Sequence, residues 1–336
     1  MGKKIAKTRR LLAMAAGSAL ALAASAATAQ ALVIQLTPDA SAASAPAGFL
    51  PAVQYAATFL QTVYDDPITI NIDVGWGEID GNPLRAADIG QSLTNQPASF
   101  NYAQVRAALI GDAKSPDDTQ STSTLPVADP TGGRAFQMSN GEAKALGLIG
   151  GNAPGTDGWV GFASTVSWTF DPNSRAVPGE YDLIGIALHE LTEVMGRYGI
   201  SQNGCGALIC DSPIDLFRYS APGTLAQDRV AGTYFSIDGG VTSINVFDGA
   251  TGDFSDWFGN TFDAFNADAT SGQVEPFSAG DATVMDVIGY DPVPLPEPAA
   301  LTLLGTGLLA LSGARRSRTL VKIFCALGAR GLHLGR

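Results

Sequence analysis

The chain has 336 residues and a formal net charge of −12. Residues 30–296 hold nine basic and 31 acidic residues, a net charge near −22, because most Lys and Arg lie at the two ends. So acidic a surface excludes nucleic acid as a partner, since nucleic acid requires a basic surface. The length between the ends fits one large domain or two small ones.

Residues 1–29 have the features of a secretory signal peptide. Five basic residues lie within the first ten, and an Ala/Leu-rich run follows from Leu11 to about Ala24. Small residues then form an A-x-A cleavage site that ends at Ala29. The apolar run is shorter than the ~20 residues that span a bilayer, which disfavours a membrane anchor. The sequence therefore predicts export and cleavage by signal peptidase.

The first half of the remaining chain predicts alternating helices and strands. Residues 48–64 carry apolar side chains at helical spacing, and residues 68–74 alternate β-branched and polar residues as a strand does. A second helix is predicted over residues 100–110. The polar, Asp/Ser/Thr/Pro-rich residues 112–133 indicate a loop.

Three more elements complete this half. Residues 139–148 predict a short helix, with Ser139 as its N-cap and Glu142 three residues later. Residues 157–170 are rich in aromatics and indicate a strand or hairpin. Residues 181–197 form the strongest helical pattern of the chain.

Residues 205–291 are rich in Gly, Asp and aromatics, and only residues 281–288 have a helical pattern. The fold class is therefore predicted to be α+β: a mixed sheet with helices in the N-terminal half, one long helix, and a loop-rich C-terminal half. Cys205 and Cys210 predict a disulfide loop in an oxidising compartment. Half of a zinc site is the alternative, although no second Cys or His pair completes it.

The C-terminal end resembles a PEP-CTERM sorting tail of Gram-negative bacteria. Pro296, Glu297 and Pro298 precede an apolar stretch, which a basic cluster at 315–318 closes. The resemblance implies residues 293–318 as a transient membrane anchor, processing by an exosortase, and delivery to the cell surface or the exopolysaccharide matrix. An ordinary C-terminal anchor is the alternative. Residues 319–336 form an extension with no predicted role.

The long helix carries the motif His189-Glu190-Leu191-Thr192-Glu193. Residues four apart point the same way on a helix, so His189 and Glu193 can bind one metal ion. Glu190 is rotated about a quarter turn from His189 and can reach a water on that ion as general base. The spacing resembles H-E-x-x-H-x-x-G-x-x-H of the metzincins, but Glu193 replaces the second His and Gly199 stands where the third ligand belongs.

The third ligand must come from elsewhere, because the other histidine, His333, lies in the C-terminal extension. Residues 211–220 resemble the metzincin Met-turn, with Phe217 at the Met position. Tyr219 would then ligate the metal or donate to the oxyanion during attack. Asp215 and Asp211 are rival third ligands. The alternative is that both aromatic residues belong to the core of a loop.

Together these segments resemble a family of secreted bacterial metalloproteases with the motif H-E-[IL]-[ST]-E-V-M-G-R. The resemblance implies a zincin-like domain over residues 30–292, with an N-lobe to about 199 and a C-lobe beyond it. It implies zinc, with calcium as an alternative structural ion, and hydrolysis of protein or peptide substrates. Zincins place the substrate-binding edge strand before the metal helix, which here is the 158–170 strand.

The competing function is a non-catalytic surface or matrix protein. The segment 235–258 is rich in Asp, Gly and aromatics, and Asp253, Asp256 and Trp257 are its best candidates to bind glycan or calcium. An acidic solvated loop is the structural alternative there.

Overall fold

The computed structural model describes residues 31–199, 201–205, 208–226, 230–249, 253–259 and 262–294. Six helices lie in these residues: α1 Phe49–Val63, α2 Tyr102–Asp112, α3 Pro116–Thr124, α4 Asn140–Ala145, α5 Leu183–Met195 and α6 Ala279–Val287. The strands are β1 Val33–Pro38, β2 Thr69–Trp76, β3 Glu78–Ile79, β4 Asn82–Pro83, β5 Gly90–Thr94, β6 Gly158–Phe162, β7 Trp168–Thr169, β8 Tyr181–Asp182, β9 Ser201–Cys205, β10 Leu208–Cys210, β11 Arg218–Ala221, β12 Thr224–Leu225, β13 Tyr234–Phe235 and β14 Asn245–Val246.

The main sheet has four strands in the order β1-β2-β6-β5. β1 and β6 run parallel to β2, and β5 runs antiparallel to β6. Ile70, Ile72 and Val74 of β2 are fully buried and alternate with half-buried residues, as the two-residue period of a strand requires. α1 and α5 pack against each other, and α5 lies along β5 and β6. This packing sets the motif-bearing helix beside the sheet.

The α+β class is confirmed. The helices predicted from the sequence correspond to α1, α2, α4, α5 and α6, and the strand predicted at 68–74 is β2. The predicted start of the long helix was two residues too early, because Tyr181–Asp182 pairs with β7 as strand β8.

The loop predicted over residues 112–133 was wrong in its first half, which contains α3. Ser115 accepts a hydrogen bond from the backbone N–H of Asp118, and Asp118 bonds back to the backbone N–H of Ser115. Pro116 occupies the first helical position, where its missing N–H costs nothing. A capping box and a terminal proline thus outweigh the low helix propensity of this polar segment.

The predicted edge strand was also wrong. Residues 157–170 divide into β6 and β7, and β6 lies inside the sheet between β2 and β5. Among the described residues, β5 has β6 as its single neighbour in the sheet, so β5 is an edge strand. The sequence of β5, GQSLT, was missed because it lacks the alternation of apolar residues that predicts a strand.

The C-terminal part is held by aromatic packing rather than by long regular elements. β12, β11, β13 and β14 form a small antiparallel sheet. Ring contacts at centroid distances of 5.2–6.4 Å join the aromatic residues behind it: Phe217, Phe235, Phe247, Trp257, Phe265 and Phe277. One compact unit ends at Pro292. The predicted signal peptide, the sorting tail from residue 295 and the 319–336 extension lie outside the described residues.

Candidate metal centre

Helix α5 is buried on nearly all sides. Every residue of α5 except His189 is buried, which is expected of a helix that is apolar around most of its circumference. The helix ends at Gly196, whose φ of +123° favours glycine. A Cβ at this position would also lie 2.6 Å from the Cβ of Glu142. Gly196 thus allows the end of the helix to pack closely on α4.

The ring of His189 is fixed in orientation by the backbone. Its Nδ1 lies 2.8 Å from the carbonyl oxygen of Ala264, and a carbonyl can only accept, so Nδ1 carries the proton of this bond. Nε2 then faces two carboxylates: Oε1 of Glu193 at 3.3 Å and Oδ1 of Asp256 at 3.5 Å. Metal-binding histidines commonly have this arrangement, in which one ring nitrogen is held by a carbonyl and the other faces the ion.

These three residues fit a divalent metal. His189, Glu193 and Asp256 each offer one ligand atom, and these atoms all lie within 4.8 Å of one another. Zinc binds nitrogen and oxygen at about 2.0–2.2 Å, which puts neighbouring ligands of a tetrahedral ion about 3.4 Å apart. The separations of 3.3 and 3.5 Å from Nε2 agree with that value. Three protein ligands leave a fourth position for water or substrate.

Arg197 belongs to the same cluster. Its Nη1 donates to Oδ1 of Asp256 at 2.7 Å, and its Nη2 lies 3.3 Å from Oε1 of Glu193. The guanidinium is fully buried and stacks over the ring of Phe265 at 4.2 Å. We call His189, Glu193, Arg197 and Asp256 the metal-site cluster.

The charges of the metal-site cluster shift one another strongly. Burial and Arg197 lower the pKa of His189, but Asp256 and Glu193 outweigh them and raise it to about 10. Burial raises the pKa of Glu193, but His189 and Arg197 bring it down to about 2. Burial raises the pKa of Asp256 to about 7, against the lowering by His189 and Arg197. The cluster therefore compensates its own charges, the condition under which buried ionised groups are tolerated.

Glu190 lies against the edge strand. A Cβ built on Gly90 of β5 would lie 2.3 Å from Oε1 of Glu190 and 2.8 Å from a methyl group of Ile186. Burial raises the pKa of Glu190 well above its ordinary range, and the neighbouring Glu193 adds to this rise. Glycine at position 90 is therefore what allows β5 to approach the Glu190 carboxyl group.

β5 also holds the other glutamate of the motif. The hydroxyl of Ser92 donates to Oε2 of Glu193 at 2.7 Å. This bond occupies one oxygen of Glu193 and leaves Oε1 facing His189. Positions 90 and 92 lie on the same face of a strand, so one face of β5 contacts both glutamates.

The structure does not bring Asp215 or Asp211 into the metal-site cluster. Oδ1 of Asp215 accepts from Nε of Arg218 at 3.0 Å, and Oδ2 accepts from the backbone N–H of Ser212 at 2.9 Å. Asp215 is therefore the reciprocal capping residue of the short 3-10 helix Pro213–Phe217. Asp211 pairs with Arg134 at 3.3 Å.

The predicted Met-turn residues also lie apart from the cluster. Tyr219 is in β11 with its ring against Gly240. Burial raises the pKa of Tyr219, and its side-chain hydrogen bond with Thr124, the last residue of α3, opposes the rise. Phe217 packs its ring on Phe235. Cys210 is buried and disulfide-bonded, while the side chain of Cys205 and the whole of His333 lie outside the described residues.

The sequence singled out Asp256 only as a glycan or calcium candidate, together with Asp253 and Trp257. Trp257 is 3% exposed, and its Nε1–H donates to Asp281 at 2.8 Å, so its ring belongs to the core. Arg197 was overlooked as a site residue. Its position at the end of an apolar helix was a signal that it needs a buried acidic partner, but the chain offers many aspartates and no way to choose among them.

No family model, no curated protein and no solved structure matches this chain. In the part of the chain that the structure describes, no helix combines the length and the apolar character needed to cross a membrane.

Proposed function

We propose that this protein is an exported, metal-dependent endopeptidase with a zincin-like arrangement of sheet and metal helix. One observation carries the proposal: Nε2 of His189 faces carboxylate oxygens of Glu193 and Asp256 at the separations that a tetrahedral zinc ion requires. The general base predicted from the sequence, Glu190, is the next residue of the same helix.

His189, Glu193 and Asp256 would hold the ion. When bound, zinc supplies Lewis acidity to a carbonyl oxygen and makes a bound water more acidic. Glu190 takes the proton of the attacking water and returns it to the leaving amine. Gly90 and Ser92 keep Glu190 and Glu193 in place, and Ala264 keeps the ring of His189 turned toward the carboxylates.

The edge strand supports a peptide as substrate. β5 is short, lies at the end of the sheet and runs directly beside the two motif glutamates. An extended peptide can pair with such an edge through main-chain hydrogen bonds that are independent of its sequence. In this proposal β5 binds the substrate backbone, the role that the sequence had suggested for the 158–170 strand.

The two ends of the chain bear on where the protein is located. The signal peptide and the PEP-CTERM-like tail support export, cleavage by signal peptidase and an exosortase, and a final location at the cell surface or in the exopolysaccharide matrix of a Gram-negative bacterium. The family resemblance of the motif supports proteins or peptides as the substrate class.

A non-catalytic surface protein that binds glycan or calcium is the second candidate. The non-catalytic character of this candidate is favoured by the pairing of Arg197 with both carboxylates, because ion pairs then satisfy the cluster without a metal ion. Trp257 gives it no support, because a buried indole offers no platform for a sugar ring.

Metal analysis and a protease assay on the full chain separate the two candidates. We expect about one zinc per chain and hydrolysis of denatured casein, because the cluster offers a single three-ligand site. Glu190→Gln should keep the zinc and lose about 10²–10⁴-fold in rate, the usual contribution of a general base. Glu180→Gln, a half-buried glutamate outside the cluster, is the matched control and should retain both.

A wild-type chain that binds no transition metal would overturn the proposal. A fully active Glu190→Gln variant would remove the catalytic role of Glu190.

A further inference from the structure

Arg197 has no place in the hydrolytic scheme, yet it is the most completely enclosed charge of the site. It is the largest side chain of the described residues that is fully buried. One guanidinium contacts both carboxylates that would bind the metal, Glu193 from the helix and Asp256 from a loop that lies 59 residues beyond Arg197. Its Nη2 also lies 3.4 Å from the backbone carbonyl of His189.

The charge of the ligand set depends on this contact. With a metal ion in place of the Nε2 proton of His189, one neutral imidazole and two carboxylates carry a charge of −2, which suits hard cations such as calcium. The guanidinium brings the set to −1, the charge of the two-histidine, one-glutamate set that is known in zinc peptidases. Because the ion pair is buried, solvent screens this compensation weakly.

The hydrogen bonds on the two carboxylates favour ligation of Glu193 through one oxygen, Oε1. Ser92 occupies Oε2 of Glu193, and Arg197 contacts Oε1 of Glu193 and Oδ1 of Asp256. Calcium takes about six to eight oxygen ligands and often binds carboxylates through both oxygens. Zinc needs about four ligands and accepts carboxylates through one oxygen.

We propose that Arg197 is a positioning residue that makes this metal site selective for zinc over calcium. It does so by cancelling one carboxylate charge and by fixing Oε1 of Glu193 and Oδ1 of Asp256 toward His189. The inference rests on the metal site of the proposed function. It concerns which ion the site accepts, a property that matters for a protein exported to surroundings where calcium is abundant.

The test is the ratio of zinc to calcium affinity, measured by calorimetric titration of the full chain with each metal alone. Arg197→Lys keeps the charge and should hold the ratio within about threefold of wild type. Arg197→Gln should lower the ratio about tenfold or more, because the compensating charge is gone and both carboxylates are released. The double variant Arg197→Gln, Asp256→Asn restores the charge of −1. Both affinities should fall because one ligand is weakened, but the ratio of zinc to calcium affinity should recover most of its wild-type value.

Thermal unfolding without added metal shows which variants are folded. If Arg197→Gln does not fold, Arg197→Lys is compared with the double variant Arg197→Lys, Asp256→Asn. The second change removes one carboxylate charge, so it should raise the ratio of zinc to calcium affinity above that of Arg197→Lys. An unchanged zinc-to-calcium ratio when the net charge of the set changes would overturn the role of Arg197. A wild-type chain that binds neither metal would instead overturn the proposed function itself.

Discussion

Two groups of charged residues in this protein accommodate buried carboxylates in different ways. In the metal-site cluster, His189 and Arg197 lie beside two carboxylates, and each carboxylate contacts both of them. The second group, which we call the aspartate cluster, contains four aspartates and one lysine: Asp66, Asp112, Asp286, Asp291 and Lys114.

The aspartate cluster lacks enough positive charge for its carboxylates. Burial raises the pKa of Asp66 to about 8, and Asp291 and Asp112 add to that rise. Burial likewise raises the pKa of Asp112 and of Asp286 to about 7. Lys114 forms an ion pair with Asp291, and its charge also opposes the rise in the pKa of Asp112. The raised pKa values of Asp66, Asp112 and Asp286 favour the protonated form of these three carboxyl groups, which reduces the charge that must be compensated.

The two clusters differ in the convergence of their ligand atoms, and this convergence, not the density of carboxylates, makes the metal-site cluster a candidate for metal binding. Within the described ranges, only His189, Glu193 and Asp256 bring three ligand atoms within 4.8 Å of one another. The aspartate cluster has more acidic residues, but its described residues do not bring three ligand atoms within that distance of one another.

The largest expected effect is the gain in the free energy of unfolding on zinc binding, which should depend on the metal-site cluster and not on the aspartate cluster. Zinc at a free concentration about 100 times its dissociation constant should raise the free energy of unfolding by about 2.7 kcal/mol. Asp256→Asn should lose most of this gain, because it weakens one of three ligands. Asp66→Asn, the matched change in the aspartate cluster, should keep it. Chemical denaturation with and without zinc measures both, and equal losses in the two variants would contradict the comparison.

A smaller effect is expected from the strand that supports the metal-site cluster. Gly90→Ala places a methyl group against the Glu190 carboxyl group. The rate of casein hydrolysis should fall about ten- to a hundredfold, because a displacement of the proposed general base by up to about 1 Å costs this much. Zinc binding should be retained. Gly111→Ala, in α2 with nothing within 4 Å of the added carbon, is the control and should leave the rate unchanged. A fully active Gly90→Ala enzyme would show that Glu190 tolerates displacement.

The smallest effect, taken per pH unit, is a pH dependence of stability that belongs to the aspartate cluster. The folded chain keeps the proton of Asp66 up to about pH 8, whereas the unfolded chain loses it near pH 4. The folded state thus binds more protons in this window, so stability should fall as the pH rises through it. Asp66→Asn cannot ionise and should reduce the fall by about 1.4 kcal/mol for each pH unit of this window.

Urea denaturation at several pH values between these limits measures the slope. Asp171→Asn, at an exposed position, should keep the wild-type slope. A slope that Asp66→Asn leaves unchanged would refute the assignment to this cluster.

Much of the fold could be predicted where local signals are strong. Ser139 was predicted as the N-cap of a helix, and its hydroxyl accepts from the backbone N–H of Glu142 at 3.0 Å. The apolar periodicity of α5 survives in the structure, because burial of that periodic face is what stabilises a helix. α3 and β5 were missed, since the first depends on its cap and the second on its neighbours, and neither has an apolar pattern of its own.

The sequence by itself determined which residues share one turn of the metal helix. The spacing of His189 and Glu193, with Glu190 beside them, follows from helix geometry alone. Only the tertiary structure decided the remaining members of the site. Asp256 reaches the cluster because Arg197, at the end of that helix, binds it across 59 residues of chain, and Ala264 then orients the His189 ring. No local pattern encodes such a partner, because the buried guanidinium requires a carboxylate but does not specify which of the many aspartates will supply it.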